Sequence, residues 1–217
     1  SVAYSQAAVR LGGTHAGVGI GPDGYSQQGL EDLALMRVLP TMLVLQPADD
    51  LETAQMVRRL AADPRPAYLR LTRQDLRRVH DDTYHFRPGV WPTLVYGSDV
   101  TIFATGGPVA AAVDAAMALH KNGIAARVIN ASTIKPVDVA TVVKAARETK
   151  LLVSVEDHNV VGGLGGAIAE VLVERHPARL LRLGIQDIFG ESGSIEALYA
   201  YHGLDAPGIV RSIVDAK

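Results

Sequence analysis

Apolar runs bounded by turn residues alternate with amphipathic stretches along the 217 residues. The runs at 7–13, 41–47, 66–71, 99–106, 125–131, 150–156 and 178–185 predict strands. Most are apolar throughout and do not alternate, as in strands covered on both faces of a parallel sheet. Segments at 28–39, 50–62, 108–123, 136–149, 164–176, 194–203 and 206–217 carry helical spacing. Asp50 offers an N-cap to the second of these, and Gly123 and Gly203 stand where helix C-terminal glycines belong. Repeated strand–helix alternation predicts an α/β fold.

The pattern lapses between Arg73 and Gly97. The stretch QDLRRVHDDTYHFRPGVWPTLVYG is polar, charged and punctuated by Pro88 and Pro92, and reads as a linker or irregular crossover. A boundary near residue 90 gives two domains, each with a mostly parallel sheet flanked by helices. Residues 1–90 hold three strands and two long helices, which is short for a doubly wound sheet. Residues 91–217 hold four strands, each followed by helix.

Composition narrows the classes. Hydrophobic residues make up 48% and the net charge is −2, so there is no basic footprint for nucleic acid and no acidic tail. No apolar run approaches the roughly 18 residues of a membrane span. The absence of cysteine excludes disulfides and thiolate metal sites, and agrees with a reducing, cytoplasmic setting. The N-terminal SVAYSQAAVR has no signal-peptide pattern and no initiator Met, so a fragment or processed product is expected.

The stretch GIGPDGYSQQGLEDLALMR contains Gly19, Gly21 and Gly24 at G-x-G-x-x-G spacing, with Asp49 about where a ribose-binding acid would follow. A dinucleotide fingerprint needs a strand running into its first glycine and a helix starting at its third. Here THAGV separates the strand from Gly19, and YSQQ separates Gly24 from the helix, so the context argues against a nicotinamide site. Asp49 has a plainer use at a helix start. A strand-to-helix loop is nonetheless where α/β folds put ligands, and this one holds His15, Asp23, Ser26, Gln27 and Gln28 among glycines. Arg70 and Arg73 lie at and just past the end of the third predicted strand, on the same rim. An arginine there suits a bidentate phosphate contact, and the set suggests a polyhydroxylated, phosphorylated ligand. Arg70, inside the strand, is expected to make a structural ion pair.

THAGVGIGPDGYSQQGLEDLALMRVLPTMLVLQPAD, YLRLTRQ, IKPVD, VEDHNVVGGLGGAIAEVL and DIFGESGSIEALYAYHGLDAPGIV succeed one another over nearly the whole chain. Together they resemble the later part of the pyrimidine-binding domain (residues 1–90, with the linker) and the C-terminal domain (residues 91–217) of transketolases. The resemblance implies thiamine diphosphate with Mg2+ as cofactors and transfer of a two-carbon ketol unit from a ketose phosphate to an aldose phosphate. It implies that His15 lies near the sugar and its phosphate, that Asp23 accepts a bond from a substrate hydroxyl, and that Arg73 binds the phosphate. Gln27 stands where many members carry histidine. It would contact substrate and cofactor, but cannot shuttle a proton.

The family's ring-contacting glutamate and aromatics, expected upstream of the T-H motif, are not among these residues, nor is the G-D-G…N motif for Mg2+ and diphosphate. The chain is therefore expected to be inactive alone, and to act in a homodimer or in a heterotetramer with a diphosphate-binding transketolase chain. A non-catalytic dimer-assembly module and a deoxyxylulose phosphate synthase-like enzyme are the alternatives.

Other tempting motifs have plainer readings. Glu156, Asp157 and His158 precede a glycine-rich helix start, but carboxylates there would repel an anion, and close helix–sheet packing explains the glycines. FGESG (189–193) is expected to be a helix-capping turn, with no strand leading into a nucleophile elbow. His80, His85, His120, His176 and His202 have no metal-ligand spacing.

Overall fold

The computed structural model describes residues 1–217 and contains two sheets. In the first, β1 (Arg10–Gly13), β3 (Ala67–Arg70) and β2 (Leu43–Leu45) run parallel in that spatial order. A fourth strand, β7 (Thr133–Lys135), pairs antiparallel with β2. In the second, the order is β4-β6-β5-β8-β9: β4 (Thr93–Val95), β5 (Val100–Ala104), β6 (Ala126–Asn130), β8 (Leu151–Asn159) and β9 (Leu180–Ile185). Only β4, on the edge, is antiparallel. Helices α1 (Asp32–Val38), α2 (Asp50–Ala62), α3 (Pro108–Lys121), α4 (Val139–Glu148), α5 (Leu164–Arg175), α6 (Ile195–Tyr201) and α7 (Ala206–Asp215) flank them. The α/β class with mostly parallel sheets is as expected.

The departures have local causes. Both antiparallel edge strands have three residues and sit beside prolines, too little pattern to register as strands. Although β7 follows the second sheet's β6 in the chain, it extends the first sheet. The expected helix at 28–39 starts only at Asp32, because 3-10 turns at Val18–Asp23 and Tyr25–Gln27 and the bridge of Gly29 to Ala16 take up the preceding residues. The α2 cap is Asp49, not Asp50: its Oδ1 accepts from the Glu52 N–H at 2.8 Å. FGESG leads into α6, but the capping oxygen belongs to Ser194, the next residue.

Residues 74–97 are fastened rather than loose. Asp49 Oδ2 accepts from the backbone N–H groups of Val79 and His80, both at 3.0 Å, and from His80 Nδ1 at 2.8 Å. Buried Glu52 accepts from the Tyr84 hydroxyl at 2.5 Å and from Asn130 Nδ2 at 2.9 Å. Burial pushes the Glu52 carboxyl up, whereas the donors around Asp49 overcome its burial and hold it low. Trp91 donates its indole N–H to the Thr133 carbonyl at 2.9 Å.

Two of the three core clusters join the first half of the chain to the second sheet, and the third lies between the first sheet and α2. Val18 and Leu30 cluster with Ile102, Val153, Leu198 and Tyr199. Leu33, Met42 and Val44 cluster with Phe103, Ile134 and Leu164. Each such side chain contributes about 2 kcal/mol on leaving water. This packing seats the loop after β1 on the second sheet and its helices.

Candidate functional site

The carboxyl ends of β2, β3, β5 and β8 meet at Asp157. Arg70, the last residue of β3, is fully buried and points its guanidinium into this junction. Its Nη1 donates to Asp157 Oδ1 at 2.6 Å, its Nε to Asp32 Oδ2 at 2.9 Å, and its Nη2 to the Gly29 carbonyl at 2.8 Å. Tyr68 donates its hydroxyl to Asp32 at 2.6 Å. Gln46, just past β2, donates to Asp157 at 3.3 Å, and the Tyr199 hydroxyl reaches the other Asp157 oxygen at 3.5 Å. Burial alone would raise the Asp157 carboxyl, but the Arg70 charge and its bonds hold it at about 2. The structural ion pair expected for Arg70 is present, and it joins the two sheets.

The loop after β1 lies on this junction. The Ala16 N–H donates to the Leu71 carbonyl, the Gly17 N–H to Gly29 O, and the Gly29 N–H to His15 O. Gly17 has φ 75°, and a Cβ there would strike the Asp157 carboxylate, so the backbone approaches as only glycine allows. The glycine spacing therefore serves two 3-10 turns and close packing; the helix that follows in the chain starts only at Asp32, eight residues past Gly24, and not at the third glycine as a dinucleotide site would need.

Of the four predicted residues, two meet directly. Arg73, three residues past Arg70, pairs with Asp23 at 2.6 Å; the two side chains are 59% and 44% exposed. His15 follows β1, the neighbour of β3, at the same sheet edge, with φ 61° and its Nδ1 2.9 Å from Thr14 Oγ1. Gln27 ends the second 3-10 turn with an exposed side chain that makes no protein hydrogen bond. Asp23 and Arg73 are thus in direct contact, while neither His15 nor Gln27 makes a hydrogen bond to them.

Glu156 and His158 serve packing. Glu156 accepts from the Leu164 and Gly165 N–H groups at 2.5 and 3.0 Å, so a carboxylate of the chain itself fills the N-terminus of α5. His158 Nε2 lies 2.6 Å from Glu156 but out of hydrogen-bond alignment, an ion-pair contact. Burial disfavours the His158 charge, yet Glu156 and Asp157 raise its pKa overall. No three His, Asp or Glu side chains gather where a metal ion could be held. Sequence reasoning misses the Asp157 junction, because its partners come from residues 32, 46, 70 and 199. The available cues are Arg70 inside its strand, expected to need an ion-pair partner, and the charged D of VEDHN inside another.

Residues 1–79 match the transketolase pyrimidine-binding domain, and residues 89–209 match the transketolase C-terminal domain. The chain is 40% identical over 217 residues to a Methanocaldococcus jannaschii protein named as a transketolase C-terminal section, covering 99% of this chain and 68% of that protein. It is 37% identical over 215 residues to a subunit of the apulose-4-phosphate transketolase of Phocaeicola vulgatus, covering 99% of this chain and 69% of the relative. A solved structure described as a split gene transketolase, inactive beta4 tetramer, superposes with a TM-score of 0.91 at 42% identity, over 98% of this chain and 68% of that one. Matched along nearly its whole length by both domain descriptions, the chain belongs to the transketolase family.

Proposed function

We propose that this chain is a subunit of a thiamine-diphosphate-dependent transketolase that moves a two-carbon ketol unit from a ketose phosphate to an aldose phosphate. The observation that carries this reading is the exposed Arg73–Asp23 pair past the carboxyl end of β3, with His15 just past the same end of the neighbouring strand β1. An arriving phosphate would replace Asp23 on the guanidinium, keeping Arg73 paired through two charge-assisted bonds. The released Asp23 carboxylate would accept a bond from a sugar hydroxyl. His15 keeps Nε2 free of protein partners to donate to phosphate or hydroxyl. Gln27 can donate its amide N–H to a substrate oxygen or to the cofactor ring, but holds no proton to transfer.

Thiamine diphosphate, when bound, supplies the carbon nucleophile that carries the ketol unit. The free polar groups of the rim fit the sugar and ring end of such a site. They do not fit the Mg2+–diphosphate end, since no acidic cluster of metal-binding form is present. That end is assigned to a second, diphosphate-binding chain, in a homodimer or a heterotetramer. The names of two similar proteins, one a transketolase subunit and the other an inactive β4 tetramer of a split transketolase, support a chain that needs a partner.

The test is an assay of the purified chain, alone and mixed with a diphosphate-binding transketolase chain, with thiamine diphosphate, Mg2+, ketose phosphate and aldose phosphate. Transfer is expected only in the mixture. Transfer by the chain alone refutes the partner requirement. Condensation of pyruvate with an aldose phosphate would move the chain to the deoxyxylulose phosphate synthase class, and no transfer in any mixture would leave an assembly module.

A further inference from the structure

Three of the predicted site residues, His15, Asp23 and Gln27, sit on a loop that is held from outside its own sheet. Gln28 is almost fully buried, and its Nε2 donates to the Glu191 carbonyl at 2.9 Å. Its Oε1 has no donor and presses against Gly190, where a Cβ would collide with it. Ser192 packs its hydroxyl into the space a Cβ on Gly24 would fill. The Tyr25 and Phe189 rings lie 6.3 Å apart, tilted at 56°. Residues 186–194, between β9 and α6, therefore fit residues 21–28 like a key.

Three of the predicted site residues are neighbours of these contacts. Gln28 directly follows Gln27, and the next residue, Gly29, donates its N–H to the His15 carbonyl. Gly24, against Ser192, directly follows Asp23. A shift of the 186–194 loop would displace Asp23, Gln27 and His15 together, while none of residues 186–194 needs to meet substrate. We infer that the 186–194 loop of the C-terminal domain is a positioning element for the sugar-phosphate rim, with Gln28 as the positioning residue that joins the two. The inference rests on the functional reading above for what is being positioned, but the coupling of the two loops can be measured without it.

The experiment compares the full chain with Gln28→Ala, Gly190→Ala and the double variant. By amide hydrogen exchange, each single variant should speed exchange within residues 15–29 at least about tenfold, leaving β5 and β8 unchanged. The double variant should add little, because both changes break one contact. Mixed with the diphosphate-binding chain, the single variants should raise KM for the ketose phosphate about tenfold with kcat within about twofold, a split that general loss of folded protein would not give. Unchanged exchange at 15–29 in both single variants, equal acceleration through β5 and β8, or fully additive effects would overturn the coupling. If the wild-type mixture transfers no ketol unit, the functional reading fails, and exchange alone still decides the coupling. Loosened exchange with an unaltered KM would overturn the positioning role.

Discussion

Arg70 and Arg73 stand three residues apart at one end of β3 and have opposite surroundings. Arg70 is wholly buried and spends its guanidinium on two carboxylates and a backbone carbonyl. Arg73 is 59% exposed and meets one carboxylate, itself 44% exposed. A buried charge is tolerable only when paired and hydrogen-bonded throughout, and once so paired it is hard to exchange. An exposed pair is held weakly, by up to about 1 kcal/mol, and can give way to a ligand. The difference separates a charge that fixes the scaffold from one free to bind, although both are arginines on the same strand end.

The largest expected effect comes from breaking the buried set. Asp157→Ala leaves Arg70 with Asp32 as its only carboxylate, and should cost about 3–5 kcal/mol in urea unfolding. A loss below about 1 kcal/mol would mean that the two arginines differ less than their burial implies.

The same charge can be removed by acid. Folding lowers the Asp157 carboxyl from its ordinary 3.8 to about 2. A lowered folded value makes the carboxylate's contribution complete above the unfolded value and lost as pH falls through the folded one. The Asp157 share of stability should therefore be full above pH 3.8 and drain towards about pH 2. Asp157→Asn should flatten that part of a stability profile taken from pH 5 downward, and an unchanged slope would remove Asp157 as its source.

On the exposed side, Arg73→Ala should lower kcat/KM for a phosphorylated ketose about 100-fold in the mixed enzyme, the size of a lost charge-assisted bidentate contact. Its unfolding midpoint should stay within about 2 °C of wild type, as for other surface substitutions. The smallest effect sharpens the contrast further. Asp23→Asn frees Arg73, so inorganic phosphate should bind a few-fold more tightly, on the order of one exposed pair, while KM for the ketose phosphate rises. Weaker phosphate binding would show that Asp23 does not compete for Arg73.

The inner strands of the parallel sheets were legible because burial on both faces leaves unbroken apolar runs such as TMLVLQ and TIFATG. The edge strands β4 and β7 were not, since an edge needs few apolar residues and three positions carry no period. Most helix boundaries were readable to within a few residues, except α1, where turn geometry claims four residues that look helical. Motif order nominated His15, Asp23, Gln27 and Arg73, and of these Asp23 and Arg73 do meet. What holds them in place could not be read this way: Asp157 meets Arg70 across 87 positions, and Gln28 meets Glu191 across 163. Such pairings follow from the fold, and no local pattern announces them.

The most direct test of the sugar-phosphate rim is a titration of the 15N-labelled chain with a ketose phosphate and, separately, with the same ketose lacking phosphate. The phosphorylated sugar should shift the amide signals of residues 14–16 and 72–74, and Arg73→Ala should abolish those shifts. Shifts confined to other parts of the chain, or equal shifts from the unphosphorylated sugar, would contradict a phosphate-reading rim.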